Sequence, residues 1–177
     1  IASLPRWMMH TQCKVVTSKL WSRFLPHLAS QFMTQQYCQA FEERIIAMPD
    51  QGGAIALGDS EIVVLPAHFL HSVGNFHFYD PISKILFSGD MGASLIKTHA
   101  EQPVEDFIAH VPHMRGFHQR YMASNRACRL WANMVRQMDV EMIVPQHGSP
   151  FVGKAMVHQF LDWISDLQCG IDLLSQS

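Results

Sequence analysis

The chain has 177 residues, a formal net charge of −2 and 48% hydrophobic residues. That length suffices for one domain with a sizeable core, and the near-neutral charge offers no general attraction to nucleic acid. No apolar run approaches the ~20 residues that span a membrane. The opening residues, Ile1 to Met9, are broken by Pro5 and Arg6 and carry no secretory cleavage pattern. Cys13, Cys38, Cys128 and Cys169 form no C-x-x-C pair, which points to reduced, buried thiols in a cytoplasmic protein.

Leu4 to Met9 reads as a short helix with Pro5 tolerated in its first turn, followed by a strand over Lys14 to Ser18. Ser18 can cap a helix reaching about Leu28, with Pro26 ending or kinking it. Lys14, Lys19, Arg23 and His27 read as a solvated face, and Gln31 to Phe41 as a further helix. Arg44 to Met48 is a strand stopped by Pro49-Asp50 and Gly52-Gly53. Ala54–Leu57 and Glu61–Leu65 form a hairpin about Gly58-Asp59, and the run Ile62 to Leu65 reads as fully buried.

Pro66 breaks that strand, and His71 follows in a loop with Ser72 and Gly74. Phe76 to Tyr79 alternates, so His77 and Tyr79 share one face and Phe76 and Phe78 the other. Asp80-Pro81 turns the chain into Ile85-Leu86-Phe87, which ends in Ser88-Gly89-Asp90. Tight turns between successive strands mean an antiparallel or mixed sheet. Gln102 to Asp106 can open a short helix, and His99, His110, His113 and His118 read as surface or pocket-lining histidines in loops.

Phe117 to Met138 reads as one long helix with Phe117, Tyr121, Trp131, Met134, Val135 and Met138 on an apolar stripe. Arg126, Arg129 and Arg136 fall on the solvated side. Arg120 projects from within the stripe and so calls for an acidic or carbonyl partner. Met142 to Pro145 is a strand ending in Gln146-His147-Gly148. Lys154 to Leu167 closes as an amphipathic helix through Val157, Phe160, Leu161, Ile164 and Leu167, with Gly170 as its stop. The pattern is α/β, with residues 1–177 as a single domain.

His71, Asp90 and His147 each follow the C-terminal end of an apolar strand, where open sheets gather polar chemistry. Imidazole and carboxylate suit divalent zinc or iron, and one carboxylate can bridge two ions. Scattered as they are, the residues alone leave open whether they are ligands.

His-Ser-Val-Gly-Asn-Phe, Tyr-Asp-Pro, Leu-Phe-Ser-Gly-Asp and Pro-Gln-His-Gly together resemble the metal-binding signature of the metallo-β-lactamase superfamily. Leu-Pro-Arg-Trp-Met and Arg-Tyr-Met-Ala-Ser-Asn are similar to its oxygen-binding di-iron protein family, relatives of the flavodiiron proteins. The resemblance runs from about Ala2 to about Leu173 and implies the later part of an αββα sandwich. It also implies two irons, with zinc as the alternative: His71 on one metal, His147 on the other and Asp90 between them. Similar segments place a tyrosine near the metals, which makes Tyr121 a candidate catalytic residue; its plain alternative is core packing. His68 then belongs to the pocket wall rather than to the ligands.

The superfamily's first metal motif, His-x-(Glu or Asp)-x-Asp, is absent. The sequence therefore resembles the later part of a larger domain and is not expected to close a metal site alone. The resemblance implies a di-iron protein that binds dioxygen as a sensor or carrier, or that reduces dioxygen or nitric oxide. The alternative is a di-zinc hydrolase of esters, thioesters or phosphoesters, so oxidoreductase, hydrolase and non-enzyme all stay open. No flavodoxin-like segment follows Ser177, which favours oxygen binding over reduction. The expected partners are dioxygen or another small ligand, a signalling or redox protein and a second copy of the chain, with neither nucleic acid nor membrane.

Overall fold

Alternation along the strands decides which face of the sheet is buried, and helices cover that face. The structure is a computed structural model that describes residues 3–25, 42–96 and 100–174. It divides into two units, Ile1–Gly52 and Gly53–Ser177.

In the first unit, α1 (Leu4–His10) starts with proline in its first turn and buries Met8. β1 (Val15–Ser18) pairs in parallel with β2 (Ile45–Met48), Val15 opposite Ile45. The Arg44 guanidinium ties this pair to α1 by donating to the Thr11 carbonyl at 2.6 Å and to that of Met8. The Ser18 hydroxyl accepts from the Trp21 N–H at 3.1 Å and caps α2 (Lys19–Ser22). This helix is one turn long, shorter than the reading to Leu28. The helix read over Gln31 to Phe41 lies outside the described residues, as do Cys38 and His99.

The second unit holds a six-stranded sheet in the order β3 (Gly53–Leu57), β4 (Ser60–Pro66), β5 (Phe76–Asp80), β6 (Ile85–Phe87), β7 (Met142–Val144), β8 (Phe151–Val152). Neighbours are antiparallel except β6 and β7, which are parallel with Leu86 opposite Ile143. Leu65, His77, Tyr79, Leu86, Ile143 and Phe151 are buried, and register places Leu65 beside His77, Tyr79 beside Leu86 and Ile143 beside Phe151. The run Ile62 to Leu65 is less buried than expected: only Val64 and Leu65 are enclosed, because β4 pairs on one side with the largely exposed edge strand β3.

Three helices complete the core: α3 (Phe107–Tyr121), α4 (Asn125–Val135) and α5 (Lys154–Asp166). The single long helix read over Phe117 to Met138 is thus two helices, one beginning ten residues earlier. The Asp106 carboxylate caps α3 by accepting from the Ala109 N–H at 3.1 Å. Extended backbone at Met122 and Ser124 breaks the run, and the Ser124 hydroxyl caps α4. Ser and Asp favour such positions because they satisfy amides that a helix start leaves unpaired.

Arg136, expected in solvent, is half-buried and binds α4 to α5, as does Arg129, which is exposed as expected. Arg136 reaches the Asp162 carboxylate at 2.7 Å and the Ser165 hydroxyl at 3.2 Å, and Arg129 donates to the Ser165 carbonyl. The buried Asn125 amide adds bonds to the carbonyls of Ser165 and Leu167 at 2.7 and 2.9 Å. Arg126 is exposed, as expected. Arg120 is exposed rather than inside an apolar stripe, because the helix break rotates it away from the α4 face; it needs no buried partner. Val157, Phe160, Leu161, Ile164 and Leu167 all line the core, with Phe160 stacked on Phe151 at 4.7 Å between ring centroids. Among the described residues no helix is long and apolar enough to cross a membrane.

Candidate metal centre

Three loops leave the same end of the sheet, after β4, β6 and β7. The first carries His71. It is laced by Ala67 N–H to the Asn75 carbonyl at 3.0 Å and Phe69 N–H to the Ser72 carbonyl at 2.8 Å. Phe69 takes a left-handed conformation at φ 68°, strained for a residue with a Cβ, and the Leu70–His71 peptide is cis. The Asn75 amide donates to the Leu70 carbonyl, directly before His71.

Asp90 sits in a tighter loop. The Ser88 hydroxyl donates to the Met91 carbonyl at 2.6 Å, and the Met91 and Ala93 N–H groups donate to the carbonyls of Ser88 and Asp90. Gly92, at φ 92°, ends the turn; a Cβ there would come within 2.7 Å of the Phe151 ring. His147 lies on the third loop, which is bonded to the second through Gln146 N–H to the Gly89 carbonyl at 2.6 Å and Ser94 N–H to the His147 carbonyl at 3.1 Å. Gly148 packs on Ser94, where a Cβ would stand 2.9 Å from the Ser94 amide nitrogen.

These loops bring His71, Asp90 and His147 together. His71 Nε2 lies 3.8 Å from Asp90 Oδ2, and His147 Nε2 lies 4.0 Å from Asp90 Oδ1. Each imidazole thus faces a different carboxylate oxygen, at a separation too wide for a hydrogen bond. Two ligand atoms at ~2.0–2.2 Å from one ion stand ~3–4 Å apart, so each gap fits an inserted ion. The donor set suits zinc or iron. Among the described residues, no group of three or more His, Cys, Asp or Glu side chains surrounds a single point closely enough to hold an ion by itself. Each imidazole and the Asp90 oxygen nearer to it would offer two protein donors to an ion.

Tyr121 stands beside this cluster rather than in the core. Its ring is half exposed, 5.1 Å from that of His71 and 4.9 Å from that of Phe117. The C-terminal turn of α3 therefore walls one side of His71 with two aromatic rings. His68 packs edge-on against Phe76 at 5.3 Å and lines an apolar cleft with Phe69, Leu130, Trp131 and Met134.

Beneath the loops lie two histidines that the sequence reading did not single out. His77 is fully buried; Trp131 donates its indole N–H to His77 Nδ1 at 2.9 Å, which leaves the ring proton on Nε2, facing the Asn75 amide at 3.5 Å. Burial lowers the His77 pKa to about 3. His118, expected in a surface loop, is fully buried on α3. Its Nδ1 donates to the Met114 carbonyl and its Nε2 accepts from the Gly92 N–H, both at 2.9 Å. Burial lowers its pKa to about 4, against opposing effects of the Met114 bond and the Asp90 charge. His110 is also on the helix and buried, its pKa lowered by burial and then by His113. Strand alternation carried the signal for His77, and four-residue spacing from Met114 the signal for His118; the helix assignment for residues 107–116 was the missing step.

The chain matches the model of the family described as ODP family beta lactamase over residues 1–148. Among solved structures it is similar to the apo state of the chemotaxis sensor ODP from T. denticola. Identity is 40% over 98% of this chain and 67% of that one, with a TM-score of 0.85. A structure of the peroxy diiron species of chemotaxis sensor ODP matches at 39% identity, covering 97% of this chain and 66% of its own, with a TM-score of 0.82. The chain therefore spans about two thirds of the length of these sensor structures. Rubredoxin oxygen:oxidoreductase from Desulfovibrio gigas shares the fold at 15% identity, over 93% of this chain and 40% of that one, with a TM-score of 0.75. A comparison with curated protein sequences gave no match. With the family model matched over most of its length and the same α/β architecture as its di-iron relatives, the chain belongs to the ODP family of the metallo-β-lactamase fold.

Proposed function

We propose that this chain forms the greater part of a di-iron protein that binds dioxygen and reports it to a signalling partner. The observation that carries this reading is the placement of Asp90, whose two oxygens face two different histidines at 3.8 and 4.0 Å. In this reading His71, Asp90 and His147 would hold the iron, each imidazole together with the Asp90 carboxylate. Iron so bound supplies an ion that can give up electrons to dioxygen, which zinc lacks. The loop of Asp90, closed by Ser88 and Gly92, holds the carboxylate in place. Tyr121 and Phe117 screen His71 on one side, and Tyr121 carries a hydroxyl able to donate a proton or hydrogen bond. Likeness to the chemotaxis sensor supports sensing over turnover. The thiols of Cys128 and Cys169, both buried and hydrogen-bonded with sulfurs 3.8 Å apart, fit a reducing cytoplasm.

The test is anaerobic loading of the protein with ferrous iron, metal analysis, and exposure to air. A change in visible absorption is expected in the wild type and none in Asp90→Ala. An iron-loaded protein silent toward oxygen that cleaves a thioester or phosphoester with zinc would replace this reading with the hydrolytic one.

A further inference from the structure

We propose that His118 is a positioning residue for Asp90: its imidazole holds loop 88–92 in the conformation that aims the carboxylate between His71 and His147. The two ring nitrogens divide the task. Nδ1 donates to the Met114 carbonyl one turn back on α3, which leaves Nε2 without a proton. That bare nitrogen accepts from the Gly92 N–H, two residues past Asp90. The ring cannot drift, for it is enclosed and set edge-on against Trp163 at 5.4 Å and Phe160 at 6.3 Å. Gly92 cannot drift either, since Phe151 fills the space beside its Cα. The loop's other bonds run within it, Ser88 to Met91 and Ala93 to Asp90, or to β7 and the loop after it, Ser88 N–H to the Val144 carbonyl and Gln146 N–H to that of Gly89. The next tie to α3 is Leu95 N–H to the His113 carbonyl, so none of these fixes residues 88–92 to the helix layer. His118 supplies that fixation. An apolar side chain of the same size would fill the space but leave the Gly92 N–H buried without an acceptor, and the loop would have to move to satisfy it.

The metal arm of the test rests on the proposed reading of Asp90 as a ligand; the structural arm does not. In metal-free protein, nitrogen NMR of the His118 ring is expected to show protonated Nδ1 and bare Nε2, with the Gly92 amide slow to exchange. In His118→Gln the side-chain oxygen can stand where Nε2 stood and keep the amide protected. In His118→Leu the Gly92 amide should exchange at least about tenfold faster than in Leu161→Ala, a core cavity control that measures the general loss of stability. In the metal arm, chelator competition for ferrous iron under anaerobic conditions should show His118→Leu weakened about 10–100-fold, with His118→Gln recovering most of the loss. A proton on Nε2, an equally protected Gly92 amide in His118→Leu, or a Gln variant as impaired as the Leu variant would each overturn the proposal. If His118→Leu does not fold, the ring tautomer and the Gln variant decide. If the whole wild-type protein, with the residues that complete its metal site, holds no iron, the function proposed above fails while the ring and amide readouts still decide the role of His118.

Discussion

Trp131 donates its indole N–H to Nδ1 of His77 at 2.9 Å, across the interface between α4 and the sheet and with both rings enclosed. A proton on Nδ1 would break that bond, so the folded state holds His77 neutral while the unfolded chain does not. Its pKa is about 3 when folded against 6.5 when unfolded, so between those pH values the unfolded state binds more protons. Stability from this group is complete above about pH 6.5 and is lost as pH falls toward 3. The slope is up to about 1.4 kcal/mol per pH unit. His77→Asn keeps an acceptor near the Nδ1 position but cannot titrate. Urea unfolding at pH 7, 6, 5 and 4 should show a shallower decline for this variant than for wild type. Parallel declines would show that His77 does not carry the dependence.

Gly92→Ala combines a left-handed backbone with a Cβ placed 2.7 Å from the Phe151 ring. Phe151 cannot retreat, being fully buried and stacked on Phe160. The substitution should cost about 2–4 kcal/mol in chemical denaturation. A cost below about 0.5 kcal/mol would mean that the loop relaxes freely.

Asp139 takes two lysines at once, Lys154 at 2.6 Å and Lys84 at 2.7 Å, with Glu141 beside both. Hydrogen bonds from Lys154 and then Lys84 hold its carboxyl at about pKa 2. The cluster is exposed, so salt should screen its ionic part. Carbon NMR should find the Asp139 midpoint well below the ordinary carboxylate range at low salt and higher in concentrated salt. An ordinary midpoint at low salt would mean that the lysines do not hold it.

The Cys128 thiol is pushed up by its hydrogen bond to the Cys169 sulfur and by burial, and both residues are fully enclosed. With an aromatic disulfide reagent at mild pH, half-buried Cys13 should label well before Cys128 and Cys169, which should react only on unfolding. Peptide mapping reads the order, and early labelling of Cys128 would show that this part of the core opens readily.

Strands β1 to β7 and the hairpin at Gly58 were legible because β-branched runs and turn residues are local signals, whereas the two residues of β8 are too few to carry one. His71, Asp90 and His147 were legible as candidates because each ends an apolar strand, and the structure brings their side chains side by side. The helix break was not legible: apolar residues continue at helical spacing across Met122 to Ser124, and Ser124 reads as a cap only once the chain is seen to leave the helix there. Without that break, Arg120 fell inside the apolar stripe and Arg136 read as solvated. His118 was hidden for a related reason. With residues 107–116 read as loop, nothing linked it to Met114, and its value lies in a bond to a loop some 26 positions earlier in sequence.

The parallel pairing of β6 with β7 has a bearing on how the protein is made. His71 and Asp90 lie on a meander of adjacent antiparallel strands, whose closure spans few residues and is kinetically cheap. His147 arrives only after the chain has travelled through α3 and α4 and returned to lie alongside β6 in the same direction. Such a long-range closure is entropically costly and late. A nascent or partly refolded chain would therefore hold the His71–Asp90 half before it gains the other. If His71, Asp90 and His147 are the ligands proposed above, iron offered during synthesis would first meet a one-histidine position, and loading would wait on docking of the final strand pair.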